Sequence, residues 1–323
     1  MSTSYHYLLC GWHTISDIQL TAISTVPYSG SRADVTIILA ESSPLCIDSG
    51  CPNSSERSFF RVDGVASYEV LKGSLIRVQP VSGAAKKDIE IYLLGMAWGA
   101  LCHQRGILPL HASAIATDTG IAAFVGHSGA GKSTTAALVS FSDFELIADD
   151  ILPISFNQTA TPGAWPYLRR LKLKADTIRR LALDGSEKIG ERFDERYFVH
   201  PKHISMDKWR KLDRIYVLEK DADISHAVID RLSGVDAVHA FIDHTYRYDC
   251  VLQSGSLAHH LSVCSELARA ITVYRLRRPW SLAAGHELRS IIRSHLMNQR
   301  QGGRSQTPQS GEARNYPGPG VAR

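Results

Sequence analysis

Several chemistries are excluded by what the sequence lacks. Its six cysteines (Cys10, Cys46, Cys51, Cys102, Cys250, Cys264) are scattered over 323 residues with no C-x-x-C pair and no metal-ligand spacing. That pattern fits free, reduced thiols, and Cys46 and Cys51 are read as unpaired. No long apolar run occurs: the most apolar stretch, Ile89 to Cys102, carries Glu90 and falls short of the roughly 20 residues a bilayer span needs. The N-terminus, MSTSYHYLLCGWHT, has no basic segment followed by a sustained apolar one. Neither sign of charge dominates. A formal charge of +4 and a pI near 8.7 are too mild to argue for nucleic acid. With neither a membrane nor a nucleic-acid partner indicated, the expected location is the cytoplasm. What remains, 44% hydrophobic and 21% charged residues, describes an ordinary globular chain long enough for one large or two smaller domains.

Residues 1–87 read as β-rich. Asp34 to Leu39 alternates around Val35, Ile37 and Leu39, and Ser67 to Val78 reads as two short strands around Lys72-Gly73. Between them, Glu41 to Arg57 is rich in Ser, Pro and Cys and is expected to be a loop. No catalytic constellation stands out here, so this part is expected to be a scaffold or a docking layer. From Asp88 to His103 the chain is apolar nearly all round a helix, which predicts a buried helix with Met96 and Trp98 in the core. Further on, the pattern predicts a helix over Asp176 to Leu183, a strand over Ile215 to Leu218, and helices over His239 to Tyr248 and Leu257 to Ala270. A strand over Val273 to Leu276 and a closing helix over Ala283 to Met297 follow. Pro162 to Leu173 reads as a proline-rich loop leading into basic residues. The tail, residues 298–323, is polar, rich in Gly and Pro, and expected to be disordered. The paired histidines His259-His260, and His239 with His244, lack carboxylate or cysteine company and read as structural.

The stretch that organises the chain is IAAFVGHSGAGKSTT, Ile121 to Thr135. An apolar run turns at glycines and enters Lys132-Ser133-Thr134, satisfying G-x-x-x-x-G-K-[ST] in the strand and helix context that a P-loop requires. Glycines let successive N–H groups curl around phosphate oxygens, and the helix N-terminus adds partial positive charge. The expected nucleotide-binding residues are Gly126, His127, Ser128, Gly129, Ala130, Gly131, Lys132, Ser133 and Thr134. Lys132 is expected to reach the β and γ phosphates of ATP and the Ser133 hydroxyl to ligate Mg²⁺. Phe144 to Pro153, FELIADDILP, then reads as a buried strand with Asp149 and Asp150 at its C-terminal end, where ligands bind in open α/β sheets. Adjacent residues on a strand point to opposite faces, so one carboxylate can serve the metal while the other meets a hydroxyl. A hairpin is expected around the polar turn Thr117 to Gly120, its first strand carrying His111 beside the P-loop strand.

Taken together, Leu110-His111-Ala112-Ser113-Ala114, GHSGAGKS and Leu146-Ile147-Ala148-Asp149-Asp150 make the chain resemble the HPr serine kinase/phosphorylase superfamily, specifically its C-terminal kinase domain. His111 lies 22 residues before Ser133 and Asp149 lies 16 after it, intervals similar to the family's. "RGILPLHASAI", "PGAWPYLRRLKL" and "VYRLRRP" are similar to a subfamily of HPr-kinase-like proteins, some of which are encoded with lasso-peptide biosynthesis enzymes and phosphorylate a precursor serine. The resemblance spans roughly residues 5–297. It implies an α/β fold with an HPr-kinase/PEP-carboxykinase-like P-loop core over 88–297, behind the β-rich start. It further implies an ATP- and Mg²⁺-dependent serine kinase acting on a peptide or small protein, with Asp149, His111 and Lys132 catalytic and Ser133 and Asp150 on the metal. The V-R-P-G-R-N-like loop of the bifunctional members has no counterpart, so phosphorolysis is not implied. Asp176 and Glu187 are unranked as a further metal ligand; Arg169, Arg170 and Lys172 are candidate contacts for phosphate or an acidic peptide. An HPr-type carrier kinase, a nucleotide-gated interaction module and a small-molecule carboxykinase relative are the rivals. Whether the chain forms a homo-oligomer, as the resembled kinases do, is left open by its different N-terminal part.

Overall fold

The computed structural model describes residues 4–27, 30, 32–40, 53–141, 143–184, 186–190, 195–201, 208–279 and 285–302. Most of the expected loop over Glu41 to Arg57, the pair Cys46 and Cys51, and residues 303–323 of the tail lie outside them. The chain opens with six strands, β1 (Tyr5–Leu9), β2 (Trp12–Ser16), β3 (Val35–Leu39), β4 (Arg57–Val62), β5 (Ala66–Leu71) and β6 (Leu75–Pro80). They form one sheet in the order β1-β2-β3-β6-β5-β4. The β5–β6 hairpin turns at Lys72 and Gly73, both at positive φ, as the primed hairpin turns require. Val35 and Ile37 face inward as their alternation predicts, whereas Leu39, the third residue of that pattern, is exposed at the strand end.

The expected apolar helix is present and interrupted. Helix α1 (Lys86–Tyr92) passes through a π segment, Leu93–Ala97, into α2 (Trp98–Gln104). Trp98 is fully buried, while Met96 is only half-buried. Then come β7 (Leu108–Leu110), β8 (Ser113–Ala116), β9 (Ile121–Val125), α3 (Lys132–Ser140), β10 (Glu145–Ala148), β11 (Leu152–Phe156), β12 (Pro162–Ala164), β13 (Leu171–Lys174) and α4 (Ala175–Arg180). The chain continues with β14 (Ser186–Lys188), β15 (Arg196–Val199), β16 (Arg210–Lys220), β17 (Val228–Leu232), α5 (Gly234–Ile242), α6 (Tyr248–Ser254), α7 (Leu257–Ala270), β18 (Thr272–Arg278) and α8 (Gly285–Gly302). The stretch read as a proline-rich loop therefore carries strand β12 and the start of β13.

A nine-stranded sheet runs β10-β8-β9-β16-β12-β11-β7, with β18 parallel to β16 and β17 antiparallel to β18; β13, β15 and β14 make a small third sheet. The large sheet is covered on both faces, and the two-residue period of its strands shows it. On β9, Ile121, Ala123 and Val125 join a core shared with the N-terminal sheet, α2, α5 and α7, while Ala122 and Phe124 face a second core under α3 and α8. The fold is thus mixed α/β, with several sheets and a β-rich N-terminal region. Among the described residues, no helix is long and apolar enough to cross a membrane.

Candidate functional site

Strand β9, a glycine turn and helix α3 follow one another, and the turn is built where only glycine fits. Gly126 has φ +147°, and a Cβ there would stand 2.9 Å from the Leu218 carbonyl oxygen. Gly131 caps α3 at φ +100°, where a Cβ would lie 2.5 Å from the Arg278 guanidinium. Lys132 is buried and donates to the Gly126 carbonyl at 2.8 Å and the His127 carbonyl at 3.4 Å. Burial pushes its pKa below the ordinary lysine value, opposed by the charges of Asp150 and Asp149.

Both aspartates follow β10 directly, and their surroundings differ. Asp149 is 3% exposed. Its Oδ1 accepts from Ser113 Oγ at 2.5 Å and from Ser133 Oγ at 2.9 Å, and its Oδ2 accepts from the Lys172 amide at 2.8 Å. Burial raises its pKa above the usual carboxylate range, against those hydrogen bonds. The Asp150 side chain is 34% exposed, with Lys172 Nζ at 3.5 Å and His111 Nδ1 at 3.4 Å. Desolvation pushes its pKa up, but Lys172 and His111 outweigh it, and the net direction is down. Its φ of +77° is unusual for a residue with a side chain.

The expected hairpin is β8 and β9, paired antiparallel around Thr117 to Gly120. His111 does not ride on a strand; it occupies the break between β7 and β8, its amide held by the His244 carbonyl at 2.8 Å. Its Nδ1 lies 2.8 Å from the Asp150 carbonyl oxygen, which can only accept, so Nδ1 carries the proton and Nε2 is left for another partner.

A cavity of about 420 Å³ joins these groups: Ser128, Gly129, Gly131, Lys132, Ser133 and Thr134 on one side, His111, Asp149 and Asp150 on another. Gly126 and His127 instead border a second cavity of about 240 Å³, with His244 and Asp243. Of the two unranked acids, Asp176 lines the main cavity, whereas Glu187 does not and pairs with Lys87. Lys172 lines it too. Arg169 and Arg170 do not, and Arg170 stacks over the Phe198 ring at 3.7 Å.

Among the lining residues, Lys174, Thr177, Arg196 and Lys220 were not singled out in the sequence, and Arg278 only as part of the basic run Arg275 to Arg278; Ser113, the partner of Asp149, lies outside the lining. For Arg278 a signal existed. Tyr274, Leu276 and Arg278 share the inward period of β18, while Arg275 and Arg277 are the outward positions.

No family model matches the chain, and no curated protein matches it significantly. Among solved structures, the Hpr(Ser) kinase/phosphatase from Coxiella burnetii is similar to part of it. The two are 10% identical, the match covers 60% of this chain and 94% of that one, and the TM-score is 0.30. A likeness that slight carries no argument about activity; the functional reading rests on the residues of the cavity.

Proposed function

We propose that the chain is an ATP- and Mg²⁺-dependent phosphotransferase of the cytoplasm that acts on the serine hydroxyl of a peptide or small protein, a lasso-peptide precursor being one acceptor of that class. The observation that carries this reading is the 2.9 Å bond from Ser133 Oγ to Asp149 Oδ1, which ties the glycine turn to the acidic doublet inside one cavity. A pure binding module has no use for a second carboxylate, Asp150, reaching solvent beside it.

The donor set fits the ion. Among the described residues no cluster of three or more His, Cys, Asp or Glu side chains forms a metal cage. Mg²⁺ is characteristically held by one or two carboxylates together with substrate phosphates; Ser133 and Asp149 are the oxygen donors for it here. When bound, the ion neutralises charge on the phosphates. Lys132, which here donates to loop carbonyls, and the turn's amides would hold the phosphate oxygens.

The proton falls to Asp150. Asp149 already accepts from Ser113, Ser133 and the Lys172 amide and is only 3% exposed, so of the doublet's two carboxylates, both lining the cavity, it is the less accessible to an alcohol. Asp150 is open to the cavity and its lowered pKa keeps it ionised at neutral pH. A hydroxyl loses its proton late in a loose transition state, so position matters more than basicity. This division inverts the expected one, in which Asp149 takes the proton and Asp150 serves the metal. His111, bonded to the Asp150 carbonyl, holds that residue in its left-handed conformation and is a positioning residue in this scheme.

The test is incubation with Mg-ATP and a panel of serine peptides, including precursors ending in serine, read by intact mass. Gain of one phosphate on serine is the expected outcome. ATP binding without transfer to any acceptor supports the nucleotide-gated module instead, and absence of ATP binding removes both readings.

A further inference from the structure

Strand β18 carries three arginines, and two of them are conventionally paired. Arg275 meets Glu219 at 3.2 Å, and Arg277 meets Asp230 at 3.1 Å and Asp221 at 3.5 Å. Arg278 is different. It is 7% exposed, and no carboxylate stands within ion-pair distance of it among the described residues. Its Nη2 donates to the Ala130 carbonyl at 2.7 Å, its Nη1 reaches the Pro279 carbonyl at 3.5 Å, and its Nε is buried with no hydrogen-bond partner. Arg214, as deeply buried at 5%, also has a buried nitrogen without a partner, its Nη1, but it makes two bonds to the carboxylate of Asp213, which Arg278 lacks.

A buried guanidinium without an anion is costly. Arg278 lines the main cavity from the C-terminal end of β18. The guanidinium packs directly on the turn: a Cβ at Gly131 would stand 2.5 Å from Nη2.

We propose that Arg278 is a phosphate-contacting residue of the nucleotide site, supplied from the C-terminal end of β18 against the far side of the glycine turn. The inference rests on the phosphotransferase reading and extends it: the turn's own lysine is joined by a fixed, planar donor from elsewhere in the chain. A guanidinium suits that task because it cannot lose its charge and offers several donors at once. One donor steadies the turn through Ala130, and the others are left for phosphate oxygen.

The experiment compares wild type, Arg278→Gln and Arg278→Lys by calorimetric titration with Mg-ADP and by thermal melting without nucleotide. Glutamine removes the charge and, being two atoms shorter, also gives up the bond to the Ala130 carbonyl, so the ligand-free melting temperature reads the strut and the titration reads the phosphate contact. Arg278→Gln is expected to weaken Mg-ADP binding by about 10–100-fold, the size of a charged hydrogen bond, while the ligand-free melting temperature does not fall. Arg278→Lys is expected to recover part of the lost affinity. Affinity within about twofold of wild type overturns the inference, as does an affinity loss matched by a lower ligand-free melting temperature, which marks a structural strut. Failure of wild type itself to bind Mg-ADP defeats the phosphotransferase reading and this inference with it. Wild-type binding with an unaffected Arg278→Gln defeats this inference alone.

Discussion

The N-terminal sheet and the glycine-turn side of the large sheet both bury charge, and they treat it in opposite ways. Glu69, on β5, is 5% exposed and closed by Arg57 at 2.7 Å and Arg77 at 3.0 Å. Glu90, on α1, is closed by the Thr21 amide and hydroxyl and the Ala22 amide. At the turn, the buried cations Lys132 and Arg278 donate only to backbone carbonyls, and neither has a carboxylate within ion-pair distance among the described residues. Burying a charge is tolerable when it is paired and expensive when it is not. The first region therefore satisfies itself and reads as scaffold. The second leaves its buried cations without a carboxylate, which is the gap the proposed nucleotide would fill.

The sharpest way to break this contrast is to remove a cation from the incomplete side. Lys132→Ala is expected to lower turnover on the order of 10²–10³-fold, as loss of one preorganised donor does. It should leave the ligand-free melting temperature unchanged or higher, because an unpaired buried charge goes with it. A steep fall in melting temperature without nucleotide would show that Lys132 is structural and erase the distinction between the regions. Asp150→Asn is expected to have at least as large an effect on rate. Loss of a general base costs about 10²–10⁴-fold in turnover, with ATP affinity little changed. Asp149→Asn, by contrast, is expected to raise the Mg²⁺ concentration needed for half-maximal rate. If Asp149→Asn abolishes transfer at saturating Mg²⁺ while Asp150→Asn remains active, the two roles must be exchanged.

How much of this was legible depends on whether a signal was local. Helix α7 runs over Leu257–Ala270, the span that its apolar spacing marks, and the β5–β6 turn announced itself through Lys72-Gly73. Strands β1 and β2 did not. Thr14 and Ser16 are fully buried on β2, so polar residues occupy the inward period and hide it. At the site, the doublet and the turn could be read from spacing, but strand alternation did not govern the two carboxylates: β10 ends at Ala148, Asp150 has φ +77°, and both line one cavity. Which faced the turn was decided by Ser113 on β8 and the Lys172 amide on β13, both non-local contacts. Arg278 sits in the run Arg275 to Arg278, which as composition reads as a solvated patch. Only the register of β18 shows that its last arginine points inward.

On the complete side, Glu69→Gln is expected to cost about 1–3 kcal/mol of stability. Arg57 and Arg77 keep partial solvent access and can rehydrate, which holds the loss to the range of a broken charged hydrogen bond. Mg-ADP affinity should not move. Chemical denaturation together with nucleotide titration checks both halves, and a variant that loses nucleotide binding at full stability would mean that the N-terminal sheet reaches the site.

The smallest expected effect concerns protons, and it too separates groups by whether their burial is satisfied. His260 is buried, bonds Thr245 Oγ1 at 2.9 Å, and is pushed down to about 4, chiefly by desolvation and then by the neighbouring His103 and His259. His244 is also pushed down to about 4, by desolvation and by His127 and Lys132. In the unfolded chain both titrate near the ordinary value of about 6.5. Between that pH and about 4 the unfolded state therefore binds more protons, so stability is fully present above about pH 6.5 and declines as pH falls toward 4. His260→Gln, which keeps a polar contact for Thr245 and cannot titrate, should flatten part of the decline in melting temperature across that window. His244 stands against the turn, so Mg-ADP should flatten the His260→Gln profile differently from that of His244→Gln. Coincident profiles for the two variants, with and without nucleotide, would show that the anion site and the histidine beside it are not energetically linked.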